Sequence, residues 1–494
     1  MLSILLLVGA LLVVSMPTIG LAQETLDIAA IDAYIENLMA ENQIPGLALS
    51  IVHNDEIVYT QGYGVAGPDG TPVTPQTPFI IGSTSKSITA LAVMQLVEAG
   101  KIDLDAPVQA YLPWFTLADP EQAQQLTVRH LLTHTSGFSL LQGDKDILND
   151  DTSDDALEAN IRELADTSLS RPVGESFEYS NSNYDILGLI VQEVSGQSFE
   201  AYIEEHIYTP LDMSNSYTSK AEADENGLAV GHPYFFGSPR VSADNPYSRR
   251  KLPAGFLISS AEDLGHYLIA QLNGGHYGTE QILAPEYVTM MHQPAVETGF
   301  QDWSYAFGWR IKPVEGEPSV RHGGDSSNFH SDLAFSPTRG WGVAIVTNYT
   351  GFPIFHVVGE PQNEVLRIVS GYDTGYAAQN TSGMIMVVWG LIILLVILNI
   401  ALWSIFYWRR WHRGRQLRLV WHFILPLAID IVLMWLILYF VPNLLETTLP
   451  IMRLFAPDLT MVLLACALVV GVTAVARVVV YIAFARRPVL VTSG

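Results

Sequence analysis

Three long apolar runs near the C-terminal end limit what this chain can fold into more than any other feature. Met384–Trp408, Val420–Val441 and Leu459–Phe484 are each long enough to cross the hydrocarbon core of a bilayer. As soluble helices they would leave apolar faces with nothing polar to cover them. The loops between them set an orientation. Arg409, Arg410, Arg413, Arg415 and Arg418 crowd together after the first run, and Arg486 and Arg487 follow the third, whereas the loop between the second and third holds only Arg453. Basic loops stay in the cytoplasm. The expectation is a multi-pass cell-membrane protein anchored in the lipid bilayer, with the residues before 384 outside the cell and the C-terminus in the cytoplasm. Residues 1–22 point the same way. The apolar run Leu2–Val14, Pro17 and the small-residue site Gly20-Leu-Ala22 read as a secretory signal peptide, although no Lys or Arg precedes the run.

Two ionisable residues interrupt these runs, Asp430 in the second and Arg477 in the third. A charge at the centre of a membrane helix costs about 2.5–3.5 kcal/mol, so it normally faces a partner. Counted from the cytoplasmic arginines, the two depths differ by about 4.5 Å at a helical rise of ~1.5 Å per residue. An arginine side chain spans that difference. An Asp430–Arg477 ion pair between spans two and three is expected; the alternative is that Arg477 reaches to the cytoplasmic surface while Asp430 is protonated or meets His422.

Between the signal and a polar linker (373–383) lies a globular segment, 23–372. Residues 1–382 hold 47 acids against 16 bases, the remainder 3 against 9. Such an acidic exterior argues against nucleic acid as a partner. The single cysteine, Cys466, falls in the third apolar run, so the exterior segment has no disulfide to form. Ile28, Ile31, Ile35 and Leu38 mark an amphipathic first helix. Leu47–Val52 and Ile57–Tyr59 read as a hairpin around Asn54-Asp55. From 83 to about 210 the pattern is mainly helical. Strands return near 305–312, 329–335 and 341–347, and a helix closes the segment at 360–370. Terminal strands bracketing a helical middle predict an α+β fold, an antiparallel sheet flanked by helices beside an all-helical lobe.

The chemistry concentrates in Phe79-Ile-Ile-Gly-Ser-Thr-Ser-Lys-Ser-Ile-Thr-Ala. Ser83 and Lys86 are spaced i,i+3, which places them on one helix face within reach of each other. The residues that follow are apolar nearly all round, so the helix is expected to be buried. A neutral lysine can take the proton that keeps a serine hydroxyl from acting as a nucleophile. Burial and the helix N-terminus both disfavour the ammonium. The bland alternative is a helix cap with a solvated lysine. A second Ser-x-x-Lys, Ser248 to Lys251, sits in a basic, proline-flanked stretch without helical period and is read as inert. His130 and His134 have i,i+4 spacing but lack the glutamate of a zinc motif. Their expected role is to orient a loop, and no metal site is expected. Gly-x-Ser-x-Gly and phosphate-binding glycine loops do not occur.

Two further motifs lie downstream, Tyr179-Ser180-Asn181 and His322-Gly323-Gly324, with supporting stretches His130-Leu-Leu-Thr-His-Thr-Ser-Gly137, Pro172-Val-Gly-Glu175 and Ala254-Gly-Phe-Leu-Ile-Ser-Ser. In this order and spacing the chain resembles the β-lactamase-related serine hydrolases. The nearest branch is that of class C β-lactamases, serine D-Ala-D-Ala carboxypeptidases and esterases in the penicillin-binding superfamily, over roughly residues 25–370. The resemblance implies a β-lactamase/transpeptidase-like fold and no cofactor. It implies that Ser83 is the nucleophile, Lys86 its base and Tyr179 a proton relay to the leaving group. Asn181, His322, Gly323, Gly324 and Asp325 would bind substrate, with the backbone N–H groups of Ser83 and Asp325 forming an oxyanion hole.

The third motif departs from the commoner Lys-Thr-Gly. Gly323 lacks the hydroxyl that helps hold a penicillin carboxylate, a loss of about 1.5–3 kcal/mol. The expected activity is therefore that of a peptidase or esterase rather than an efficient β-lactamase. Its substrate would be a small molecule or a peptidoglycan-type D-amino-acyl amide or ester. The rival is a non-catalytic or weakly catalytic penicillin-binding-like sensor or scaffold that signals through its spans. A pure binder has no need of Ser83, Lys86 and Tyr179 together.

Overall fold

In the computed structural model, Asp27 accepts a hydrogen bond from the backbone N–H of Ala30 and so starts the first helix, α1 (Ile28–Asn42). Gln43, in the left-handed conformation, ends it. Ile31, Ile35 and Leu38 are buried as the period requires, but Ile28, on the first turn, is 42% exposed. The expected hairpin follows as β1 (Gly46–His53) and β2 (Glu56–Gly64), with Asn54 at a φ of 55° in the turn. The structure describes residues 26–144, 147, 149–242, 245–300, 303–351, 361–372, 381–412, 419–445 and 447–485. The signal expected at 1–22, most of the 373–383 linker and Arg413, Arg415, Arg418, Arg486 and Arg487 lie outside the described residues.

The rest of the sheet comes from the far end of the segment: β3 (Val296–Glu297), β4 (Ser304–Tyr305), β5 (Arg310–Val314), β6 (Glu317–Asp325), β7 (His330–Ser336) and β8 (Trp341–Thr347). All eight strands are antiparallel, in the order β2-β1-β8-β7-β6-β5-β4-β3. β1 pairs with β8 from Leu47 opposite Thr347 to His53 opposite Trp341, so the two ends of the segment meet mid-sheet. The strand expected at 305–312 is two strands. Gly308, at a φ of +77°, turns the chain between them.

Both faces of the sheet are covered. α1 and a C-terminal helix, Pro361–Val369, bury Ile35, Leu49, Val365 and Val369 on one side. On the other lies the helix Ala261–Leu272, where a Cβ at Gly265 would come 2.4 Å from Ser50 Oγ; only glycine allows so close an approach. Beside it stands the all-helical lobe. It is built around α2 (Ser85–Glu98), which is buried nearly all round, and α3 (Asn181–Ser195).

Beyond this body the chain forms α4 (Thr381–His412), an apolar helical stretch centred on α5 (Leu425–Trp435), a short helix α6 (Leu449–Phe455) and α7 (Pro457–Ala485). Three stretches, Trp389–Arg409, Leu425–Leu444 and Pro457–Ala483, are long and apolar enough to cross a membrane. The expected ion pair is present. Arg477 Nη1 contacts Asp430 Oδ2, and both residues are buried. Asn399 of α4, which the sequence reading passed over, joins them: its amide donates to Asp430 Oδ1 at 2.9 Å, and Arg477 Nη2 lies 3.4 Å from Asn399 Oδ1.

Candidate active site

Ser83 sits in a tight turn, Gly82–Thr84, that runs straight into α2. The turn is fixed by its own hydroxyls. Thr84 Oγ1 donates to Ile81 O at 2.6 Å, and Ser85 Oγ donates to Gly82 O at 2.7 Å. These neighbours are buried, and Ser83 alone of the turn's serines and threonine reaches the cleft. Gly82 has a φ of +53°, and a Cβ there would lie 2.6 Å from Asp325 N. A Cβ on Gly324 would lie 2.1 Å from Ile81 O and 2.8 Å from Ser83 N. Glycine at both positions lets the Ser83 backbone and the end of β6 press together, with Asp325 at the cleft edge.

Lys86 Nζ lies 3.1 Å from Ser83 Oγ, 2.6 Å from Asn181 Oδ1 and 2.6 Å from Ala254 O. The lysine is fully buried. Two of its three neighbours, the amide oxygen and the carbonyl, are pure acceptors, so they take two N–H bonds and direct the third position at the serine hydroxyl. Asn181 is held in turn by Asp144, whose Oδ1 accepts from Asn181 Nδ2 at 2.7 Å. Burial pushes the Asp144 carboxyl upward, against the pull of Lys251 and Lys86.

Tyr179 presents its ring to Lys86, with Nζ 4.9 Å from the ring centroid. Its hydroxyl is buried and has no hydrogen-bond partner among the described residues. That hydroxyl makes no hydrogen bond to Ser83 or Lys86 in this geometry. His134 anchors the same motif: its Nδ1 accepts from Ser180 N at 3.1 Å and from the Asn183 amide at 2.8 Å. Burial, reinforced by Lys86, holds its imidazole well below the usual range and so neutral. His130 caps the helix Val128–Leu132 instead. The two histidines do different jobs, and among the described residues no His/Cys/Asp/Glu cluster could hold a metal.

The third motif lies on β6, an inner strand paired with β5 and β7. His322 is fully buried, with its ring centroid 6.4 Å from that of Tyr179. Nδ1 lies 2.7 Å from Gly323 O and donates to it, so Nε2 accepts from the Tyr305 hydroxyl at 3.2 Å. Burial, with Arg310 and Lys86 nearby, keeps it neutral. Of the residues expected to bind substrate, Asn181 and Asp325 line the small cavity beside Ser83, and Gly324 packs against the Ser83 backbone. A Cβ on Gly323 would come 2.9 Å from Asp332 Oδ1. The Asp332 carboxylate occupies the place a threonine would need. It accepts from His330 Nε2 at 2.7 Å, while His330 Nδ1 meets Asp325 Oδ1 at 2.8 Å. Burial alone would lower the His330 pKa, but the two carboxylates hold it well above the usual value.

The profile described as Beta-lactamase matches residues 31–362, most of the chain. The chain belongs to the β-lactamase family. Among its relatives is Protein flp of Staphylococcus aureus, 30% identical over 328 residues, 64% of this chain; the match spans 62% of that protein's length. Penicillin-binding protein 4 of Amycolatopsis lactamdurans is 32% identical over 63% of this chain and 82% of its own. The structure of the octameric penicillin-binding protein homologue from Pyrococcus abyssi superposes with a TM-score of 0.60 at 30% identity, covering 70% of this chain and 78% of that one. The antiparallel sheet with its helical lobe is that family's fold.

Two features of this β-lactamase-family cleft escaped the sequence reading. Lys251, the lysine of the second Ser-x-x-Lys, lines the cleft, with Nζ 2.9 Å from Asp185 Oδ2; both side chains are almost wholly buried. Its signal was present in the sequence but was masked by the prolines around it. Ser248 is buried and takes no part in the cleft. The second feature is Leu454 and Phe455, which also line the cleft and come from α6, between the second and third apolar helices.

Proposed function

We propose that the chain is a membrane-tethered, extracytoplasmic serine hydrolase that transfers an acyl group to Ser83 and then to water. The observation that carries this reading is the 3.1 Å approach of Ser83 Oγ to a fully buried Lys86 Nζ whose other neighbours are two acceptors. With the amine neutral, Asn181 Oδ1 and Ala254 O take its two N–H bonds, and its lone pair accepts the serine proton. The backbone N–H groups of Ser83 and Asp325 then face the charge that develops on the substrate oxygen. Tyr179, with an orphan hydroxyl, gains a partner when a leaving group arrives.

Asp332 and Asp325, two carboxyls around one imidazolium, border the third motif. A free carboxylate on the substrate finds repulsion there, and Gly323 offers it no hydroxyl. This favours amides or esters without an adjacent carboxylate, such as D-amino-acyl groups of the cell envelope or small esters, over penicillins and cephalosporins. The arginine loops support a cytoplasmic C-terminus with the domain outside the cell. The test is turnover by the full chain of D-amino-acid amides, p-nitrophenyl esters and a chromogenic cephalosporin. Ester or amide turnover that disappears in Ser83→Ala supports the reading. Efficient cephalosporin hydrolysis refutes the substrate preference, and turnover unchanged in Ser83→Ala refutes the nucleophile.

A further inference from the structure

One part of the cleft's lining does not come from the globular domain. It comes from α6, whose Leu454 and Phe455 face the same space as Ser83, Asn181 and Phe256. One contact seats α6 there directly, and two more hold its neighbouring helices against the domain. A Cβ on Gly351 would lie 3.3 Å from Phe455 O, so the carbonyl rests on domain backbone. Asp458, fully buried at the start of α7, accepts from Phe236 N at 3.1 Å. Phe236, an exposed aromatic at a φ of 47°, meets Trp389 of α4 edge-on at 6.3 Å. α6 also packs against the apolar helices: Ile451 and Met452 are buried, and Met452 clusters with Leu459 and Leu463 of α7. With α6 in place the cleft is narrow, about 30 Å³, on the scale of a few waters. Any substrate that reaches Ser83 must push Leu454 and Phe455 aside or lie against them.

We propose that α6 is the specificity-determining wall of the active site and selects an amphiphilic acyl donor, an ester or amide bearing an apolar chain beside the scissile bond. The inference rests on the hydrolase reading of Ser83. A donor seated in the bilayer face next to α6 brings its chain to Leu454 and Phe455 and its carbonyl to Ser83. A polar donor has no group to replace the apolar contacts it displaces. One methylene in an apolar pocket is worth about tenfold or more in selectivity, so two side chains can dominate the choice.

The experiment uses the full chain in lipid nanodiscs with two substrate series. The first is p-nitrophenyl esters from acetate to octanoate, the second n-alkyl acetates followed by proton release. Leu454→Ala, Phe455→Ala and the double variant are compared with Leu468→Ala, a truncation on the exposed face of α7. The expected result is that kcat/KM rises by about tenfold or more with chain length in at least one series. In the double variant that rise collapses with Ser83 still labelled by the fluorophosphonate, and Leu468→Ala keeps the wild-type profile. A chain-length profile unchanged in the double variant overturns the inference, as does an equal fall for every substrate with labelling intact. Wild-type protein that never labels at Ser83 would remove the hydrolase reading and this inference with it.

Discussion

The Asp430–Arg477 pair gives the membrane part a quantitative test. Asp430 meets Arg477 Nη1 and the Asn399 amide, and Arg477 reaches Pro426 O at 3.3 Å and both oxygens of Asn399 at 3.4 Å. All three apolar helices therefore converge on one buried cluster. Asp430→Asn leaves the guanidinium without its counter-charge, and Arg477→Gln leaves the carboxylate with a single amide donor. Each loss should cost about 3 kcal/mol, the scale of an unpaired charge in a membrane helix or a broken buried pair. If the residues acted independently, the double variant would lose about 6 kcal/mol. With both charges gone, neutral amides remain that can bond Asn399 and one another at about 0.6 kcal/mol per interhelical contact. The double variant should then lose only ~1–2 kcal/mol relative to wild type, since most of each single loss is the stranded charge. The assay is reversible unfolding of the full chain and the three variants in mixed micelles, read as a double-mutant cycle. A coupling of about 4 kcal/mol is expected. Losses that add within ~0.5 kcal/mol would show that the contact carries no energy.

Three further outcomes follow from the site. Lys86→Arg keeps a permanent charge and should lower kcat by ~10²-fold or more, measured with any ester the wild type turns over; near-normal kcat would rule out lysine as base. Tyr179→Phe removes an orphan buried hydroxyl, so thermal stability should hold or rise while kcat falls by ~10²-fold or more. A loss of stability without a loss of kcat would make Tyr179 structural. His292, whose Nε2 lies 2.8 Å from Gln271 Oε1, is pushed down to about 3 by burial, and His134 and His322 are also held well below their usual value. An unfolded histidine titrates near ~6.5. Below that pH the unfolded chain binds protons that these native histidines refuse, so their contribution is full above ~6.5 and falls as pH drops toward the folded values. The slope is up to ~1.4 kcal/mol per pH unit per histidine. Denaturant unfolding between pH 7 and 5 should show this decline, shallower by one proton in His292→Gln; an unchanged slope in that variant would contradict the burial argument.

What the sequence revealed and what it hid divides along physical lines. Ser83 and Lys86 were legible because i,i+3 spacing is a local rule that tertiary structure cannot undo, and the β1–β2 hairpin for the same reason. The β-strand period found β7 and β8 but merged β4 with β5, because a glycine turn of four residues leaves little trace in a run containing Tyr305, Phe307 and Trp309. Chain order said nothing about which far-off side chains complete the cleft. Lys251 reads as a surface base until Asp185, 66 residues earlier on α3, is placed beside it. Asp332 enters only through the β6–β7 register, which sets it opposite Gly323. Asn399 is a readable sign, a lone amide in an apolar run, but an uncharged amide can also bond within its own helix and so names no partner. Leu454 and Phe455 were invisible as cleft residues, since apolar side chains next to apolar spans read as membrane.

The central claim is that Ser83 is the nucleophile of this β-lactamase-family cleft. Its most direct test is to treat the full chain with a fluorophosphonate and locate the adduct by peptide mass spectrometry. One adduct on Ser83, absent from a folded Ser83→Ala protein and slowed in Lys86→Arg, is the predicted result. An adduct on another serine, or labelling undiminished in Ser83→Ala, would contradict it.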